Sequence, residues 1–177
     1  MRNTLLGIVF VYVLIKKGLS KNIHKYSGNL LYLMLCNCLY YCFFYKYRLW
    51  DFKSNYMNIK WIRSIHIFII TPILNLMFLS NFPKNLSHRI TYTVKWVLFS
   101  VFVEVFLKKC GLLFFAHGWH IGWSTYLYFK MYLYTYLFTK RPILIMSLSA
   151  LNVLFFLRKF HVSLYRFNVK SFLIKPD

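Results

Sequence analysis

The chain has 177 residues, 59% hydrophobic and 22% aromatic, and sets 23 Lys and Arg against three acids, Asp51, Glu104 and Asp177, for a formal charge of +20. Soluble domains of this size carry about 25% charged residues of both signs, whereas here the fraction is 15% and almost all of one sign. This excludes an ordinary soluble domain: so much apolar surface has no polar coat to cover it, and the alternative cover is lipid. A nucleic-acid binder gathers its cations on one face of a domain. Here they stand in short clusters between apolar runs, such as Lys16 and Lys17, Lys108 and Lys109, Lys140 and Arg141, Arg158 and Lys159. Loops flanking membrane spans look like this, and each such cation gains about 1 kcal/mol near anionic headgroups. The expected partners are therefore membrane lipids with anionic headgroups, and no nucleic acid.

A helix crossing ~30 Å of hydrocarbon needs about 20 residues, and its backbone must be paired internally. The expected fold is all-α: a single polytopic bundle of five to six transmembrane helices spanning residues 1–177. The first segment, 5–16, is short and lies between Arg2 and Lys17; with no small-residue cleavage pattern after it, it reads as an uncleaved anchor whose flanking lysines snorkel. The second, 29–45, carries Cys36, Cys38 and Cys42. Two residues turn a helix by about 200°, so only Cys38 and Cys42 share a face, and they read as packing residues. The third, 65–82, follows Trp61 and Arg63 at the expected interface. Pro72 interrupts it, removing one hydrogen bond and freeing the Phe68 carbonyl; Asn75, one turn on, is placed to satisfy that region. The outcome is either a kink or a broken helix lining a substrate site. The fourth segment is 90–107, with Lys95 near its start. The fifth, 121–139, and the sixth, 142–157, are separated only by Lys140 and Arg141 and form a tight hairpin, with Pro142 well placed at a helix start. The tail, 160–177, mixes apolar and basic residues and suits the membrane surface. With six spans, thirteen cations fall on the side of the termini and nine on the other, which the positive-inside rule reads as cytoplasmic termini.

Charges inside spans cost at least ~2.5–3.5 kcal/mol at the centre, so they face the protein interior or water. Glu104 and Lys130 are the two that lie deep. They are expected at comparable depth on adjacent helices, where they neutralise each other; Lys108 competes, because Glu at i and Lys at i+4 share a helix face. Glu104 reads either as half of a structural ion pair or as a proton- or ion-handling carboxylate. Residues 117–123, HGWHIGW, hold His117 and His120 three apart and Trp119 and Trp123 four apart. The histidines with Glu104 make a weak metal triad, since HxxH alone is unspecific. The tryptophans fit an interfacial aromatic belt, with Gly118 at the turn where the chain re-enters.

Residues 82–123 and their surroundings resemble an uncharacterised family of small multi-pass membrane proteins from spore-forming Gram-positive bacteria. The resemblance rests on Pro72 and Asn75, Phe82 and Pro83, Glu104, Gly111, Gly118, Trp119 and Ser124, with residues 47–51 (YRLWD) also similar. It covers roughly 45–157 and implies a multi-pass bacterial membrane protein, with no activity attached. The chain departs from it in being unusually basic.

No phosphate loop, dense acidic or histidine cluster, or nucleophile–base set stands in the sequence, and no cofactor is expected. The leading expectation is a non-enzymatic polytopic protein of the bacterial cytoplasmic membrane, structural or interacting in role. The alternatives are a small transporter or ion-conducting protein using Glu104, and a metal-dependent membrane enzyme using His117, His120 and Glu104.

Overall fold

The computed structural model describes residues 20–44, 47–54 and 58–162. The expected first span at 5–16, and the basic tail from residue 163 onward, lie outside them. Their order is α1 (Ser20–Phe43), β1 (Trp50–Phe52), α2 (Ile59–Ser80), α3 (Leu86–Lys109), β2 (Leu113–Phe115), α4 (Ile121–Phe138) and α5 (Pro142–Lys159). Local chemistry sets most of these limits. Asn58 and Asn85 accept the Lys60 and Ser87 N–H groups at the starts of α2 and α3, satisfying donors that a helix leaves open. Pro142 opens α5, as expected. Two helices end in Schellman motifs: Gly111 (φ +69°) closes α3 with Leu112 N–H on Leu107 O, and His161 (φ +51°) closes α5 with Val162 N–H on Leu157 O. The second uses a non-glycine residue in the left-handed region, supported by the packing of Val162 with Leu157.

Among the described residues, three helices are long and apolar enough to cross a membrane: α2, α3 and α5, with mean hydropathies of 1.8, 1.6 and 1.5. This corrects the expectation of five to six spans. The helices at the expected second and fifth spans, α1 and α4, are long but carry too many polar groups: Asn29 and Asn37 in α1, and Tyr126, Tyr128, Lys130, Tyr132, Tyr134 and Tyr136 in α4. The reason lies in their positions. α4 packs against α1, α2, α3 and α5, so its polar groups meet other helices. Tyr132, fully buried, shares a 2.8 Å hydrogen bond with Ser100 of α3. Asn29, also buried, donates to the Thr135 carbonyl at 2.6 Å and to Thr139 Oγ1 at 2.7 Å. Exposed apolar surface falls instead to α3 and α5. Only 22% and 17% of their apolar windows are buried, against 56% for α2, and Leu86, Ile90, Val94, Leu98, Phe102 and Phe106 make an exposed stripe at four-residue spacing along α3.

The expectation of an all-α fold is corrected by a short antiparallel ribbon pairing Trp50 with Phe115, Asp51 with Phe114 and Phe52 with Leu113. The ribbon joins the α1–α2 connection to the α3–α4 connection. Beside it lies one apolar core of Phe44, Leu49, Trp119, Phe156, Leu157 and Val162. A second core, Phe78, Leu79, Val97 and Tyr132, lies along α2, α3 and α4.

In α2, the turn ahead of Pro72 widens into a π-helical segment, His66–Ile70, whose wider ladder takes the Thr71 N–H to His66 O. A π-bulge accommodates the missing proline donor. Asn75 is fully buried and its amide donates to Thr71 O at 3.3 Å, so in that region the carbonyl it serves is that of Thr71. The buried Asn29 amide anchors α1 to the far end of α4, and Asn29→Ala is expected to lower unfolding stability in detergent by about 1–3 kcal/mol, read from the thermal midpoint.

Candidate functional site

Three groups of polar residues bear on a candidate site. The first is the ribbon. Asp51 is 1% exposed and Arg63 3%. Arg63 donates through Nε to Oδ1 at 3.1 Å and through Nη2 to Oδ2 at 2.5 Å, and Arg48 Nη1 reaches Oδ2 at 3.0 Å. The Phe52 N–H adds a fourth donor at 2.9 Å. Both carboxylate oxygens are thus doubly satisfied, and two guanidiniums share one anion. The Arg63 guanidinium also lies over the Tyr41 ring at 5.6 Å. Tyr40 completes the corner: its hydroxyl donates to Trp50 O at 2.8 Å and accepts the Trp50 N–H at 3.1 Å. Burial holds this phenol well above its ordinary range, which keeps the proton it donates. From the sequence alone, Arg63 is expected at an interface and Asp51 stands out only within the YRLWD resemblance. The signal was present: an acid between aromatic residues in so basic a chain must sit beside cations.

The second place joins α3, α4 and the loop before α4. Glu104 is 4% exposed. Ser124 Oγ donates to its Oε1 at 2.6 Å, and the Trp119 indole N–H donates to Ser124 Oγ at 3.0 Å. Glu104 Oε2 is buried without a hydrogen-bond partner, and Tyr128 lies alongside in electrostatic reach. Neither expected lysine pairs with Glu104. Lys108 lies over the Phe115 ring at 4.2 Å, and among the described residues the only ion pairs are those of Asp51. Trp119 also departs from its expected role as an interfacial anchor. It is 5% exposed and packs on Phe156 and Phe160, so its indole points into the bundle.

The third place is Lys130. Its Nζ donates to Asn152 Oδ1 of α5 at 3.1 Å, the same oxygen that accepts the Tyr126 hydroxyl at 3.1 Å, and it lies over the Tyr126 and Tyr134 rings at 4.6 and 5.4 Å. Ser124 and Tyr128 share one face of α4, while Tyr126, Lys130 and Tyr134 share another. The two sets are offset by two residues, about 200° around the helix, which is why Lys130 turns to α5 while Ser124 turns to Glu104 of α3.

The histidines do not assemble with Glu104. His117 and His120 are exposed. His120 Nδ1 accepts the Gly122 N–H at 3.1 Å and caps α4, and His117 adopts φ +53° beside the Tyr47 ring. The described residues contain no group of three His, Cys, Asp or Glu able to hold a metal. Trp123 is half-buried against Tyr126, Phe155, Phe156 and Phe160. Cys36, Cys38 and Cys42 are free thiols, and burial raises the pKa of each. Comparison with protein families, characterised sequences and solved structures finds no match.

Two outcomes follow from the paired groups. Asp51→Asn leaves two guanidiniums without their anion and is expected to destabilise the protein by about 3–5 kcal/mol. In a double-mutant cycle, Glu104→Ala and Ser124→Ala together should cost less than the sum of the singles; strictly additive midpoints in detergent would remove the coupling.

Proposed function

We propose that this chain is a multi-pass protein of the bacterial cytoplasmic membrane with a structural or interaction role and no chemistry of its own. The observation carrying this reading is the use made of the acidic residues. Asp51 is given over to two arginines and a backbone N–H, and Glu104 to Ser124, so each ties one element to another. Both are buried. Lys53, Lys60, Lys108, Lys109, Arg158 and Lys159 are exposed, and anionic lipid headgroups are the partner chemistry that complements them. The resemblance to small membrane proteins of spore-forming bacteria supports the bacterial assignment.

A second reading, a small transporter, is favoured by one specific observation: Glu104 Oε2 is buried without a partner, beside a bundle whose α2 is interrupted by a π-turn and Pro72. An ionisable group inside a span is a candidate for moving ions. The experiment that separates the two is flux in proteoliposomes. The structural reading expects proton, sodium and potassium leak equal to empty vesicles, with no change in Glu104→Gln. A flux present in the natural chain and abolished in Glu104→Gln would select transport instead.

A further inference from the structure

Lys130 lies near the middle of its helix, nine residues after Ile121 and eight before Phe138. At 1.5 Å per residue this is about 12–14 Å from either end, further than a lysine stem snorkels. Its partner Asn152 sits mid-way along α5, one of the three helices apolar enough to span. On the membrane reading, in which α5 crosses the bilayer with α4 packed beside it, the ammonium lies deep in the apolar layer, and it is only half-buried. Its contacts among the described residues are neutral: one amide oxygen and two tyrosine rings. Among the described residues no carboxylate is within ion-pair reach, because Asp51 is bound at the ribbon and Glu104 lies on the opposite side of α4. A cation at this depth without a counter-charge costs at least ~2.5–3.5 kcal/mol.

We propose that the face of α4 and α5 around Lys130 docks a transmembrane helix of another protein, whose mid-helix Asp or Glu pairs with the Lys130 ammonium. This deepens the interaction role proposed above and rests on the membrane reading. Lipid phosphates cannot serve, since headgroups lie at the interface and Lys130 does not. A second copy of this chain offers no accessible carboxylate from its described residues, as Asp51 and Glu104 are both buried. A carboxylate at mid-depth must be carried in on another apolar segment. The surface suits one: Leu148 and Phe155, a turn before and a turn after Asn152, are exposed and give a neighbouring helix an apolar wall on either side of the charge.

The test uses the full chain in phosphatidylcholine vesicles with polyleucine helices of about 21 residues, labelled for energy transfer and carrying a central Glu, a central Gln or no polar residue. The Glu helix is expected to associate about tenfold or more tightly than the Gln helix, a difference of ~1.4 kcal/mol or more. That preference should persist in Lys130→Arg and vanish in Lys130→Met. Equal association of the two peptides, or a preference that survives Lys130→Met, overturns the proposal. So does Lys130-dependent binding of oleate without any peptide preference, which would make the carboxylate that of a free fatty acid. Flotation of the chain with vesicles in every arm reports on the membrane reading separately, so the two can fail independently.

Discussion

One constraint organises this molecule: an ionised group in an apolar layer needs a partner, and the chain carries three acids against 23 strong cations. The described acids are therefore placed with care. Asp51 sits where two arginines converge, and Glu104 where a serine held by a tryptophan can reach it. In water, pairs like these contribute little. Out of water, breaking one strands a charge, and the penalty is several kcal/mol. The geometry at the ribbon follows from this, since the arginines come from the β1 approach and from the first turns of α2 and meet only if the chain folds back between them.

The same constraint explains the division of labour among the helices. α2, α3 and α5 are apolar enough for lipid, and α3 and α5 turn most of their surface outward. α4 contacts the other four helices and carries most of the polar inventory: Ser124 toward Glu104, Tyr132 toward Ser100, Lys130 toward Asn152, and the Thr135 carbonyl toward Asn29. A tyrosine-rich helix is poorly suited to lipid but well suited to the inside of a bundle, because each ring fills volume while its hydroxyl finds a neighbour. The aromatic content thus acts as packing between helices more than as an interfacial girdle, and Trp119 is the clearest instance.

Much was legible in the residue order. Apolar runs located the helices from α3 to α5 to within about four residues, whereas α2 begins six residues before the expected 65–82, and Pro142 and the short Lys140–Arg141 link mark the α4–α5 turn. The importance of Glu104 could be seen from its isolation among apolar neighbours. Its partner could not. Opposite charge suggested a lysine, but the rotation of α4 about its own axis brings Ser124 to Glu104 and sends Lys130 the other way. The ribbon was also hidden, because residues 50–52 and 113–115 are too short to show a strand pattern and acquire that role only from each other.

What the sequence by itself determined was which segments are apolar and long enough to cross a membrane, and how few acids the chain has to set against its cations. Which faces of those helices stay exposed, and which groups pair, was decided only by the tertiary structure. The physical reason is that hydropathy belongs to a segment taken alone, whereas a hydrogen bond or ion pair depends on the rotation and height of two segments, and those are set when all five described helices pack together.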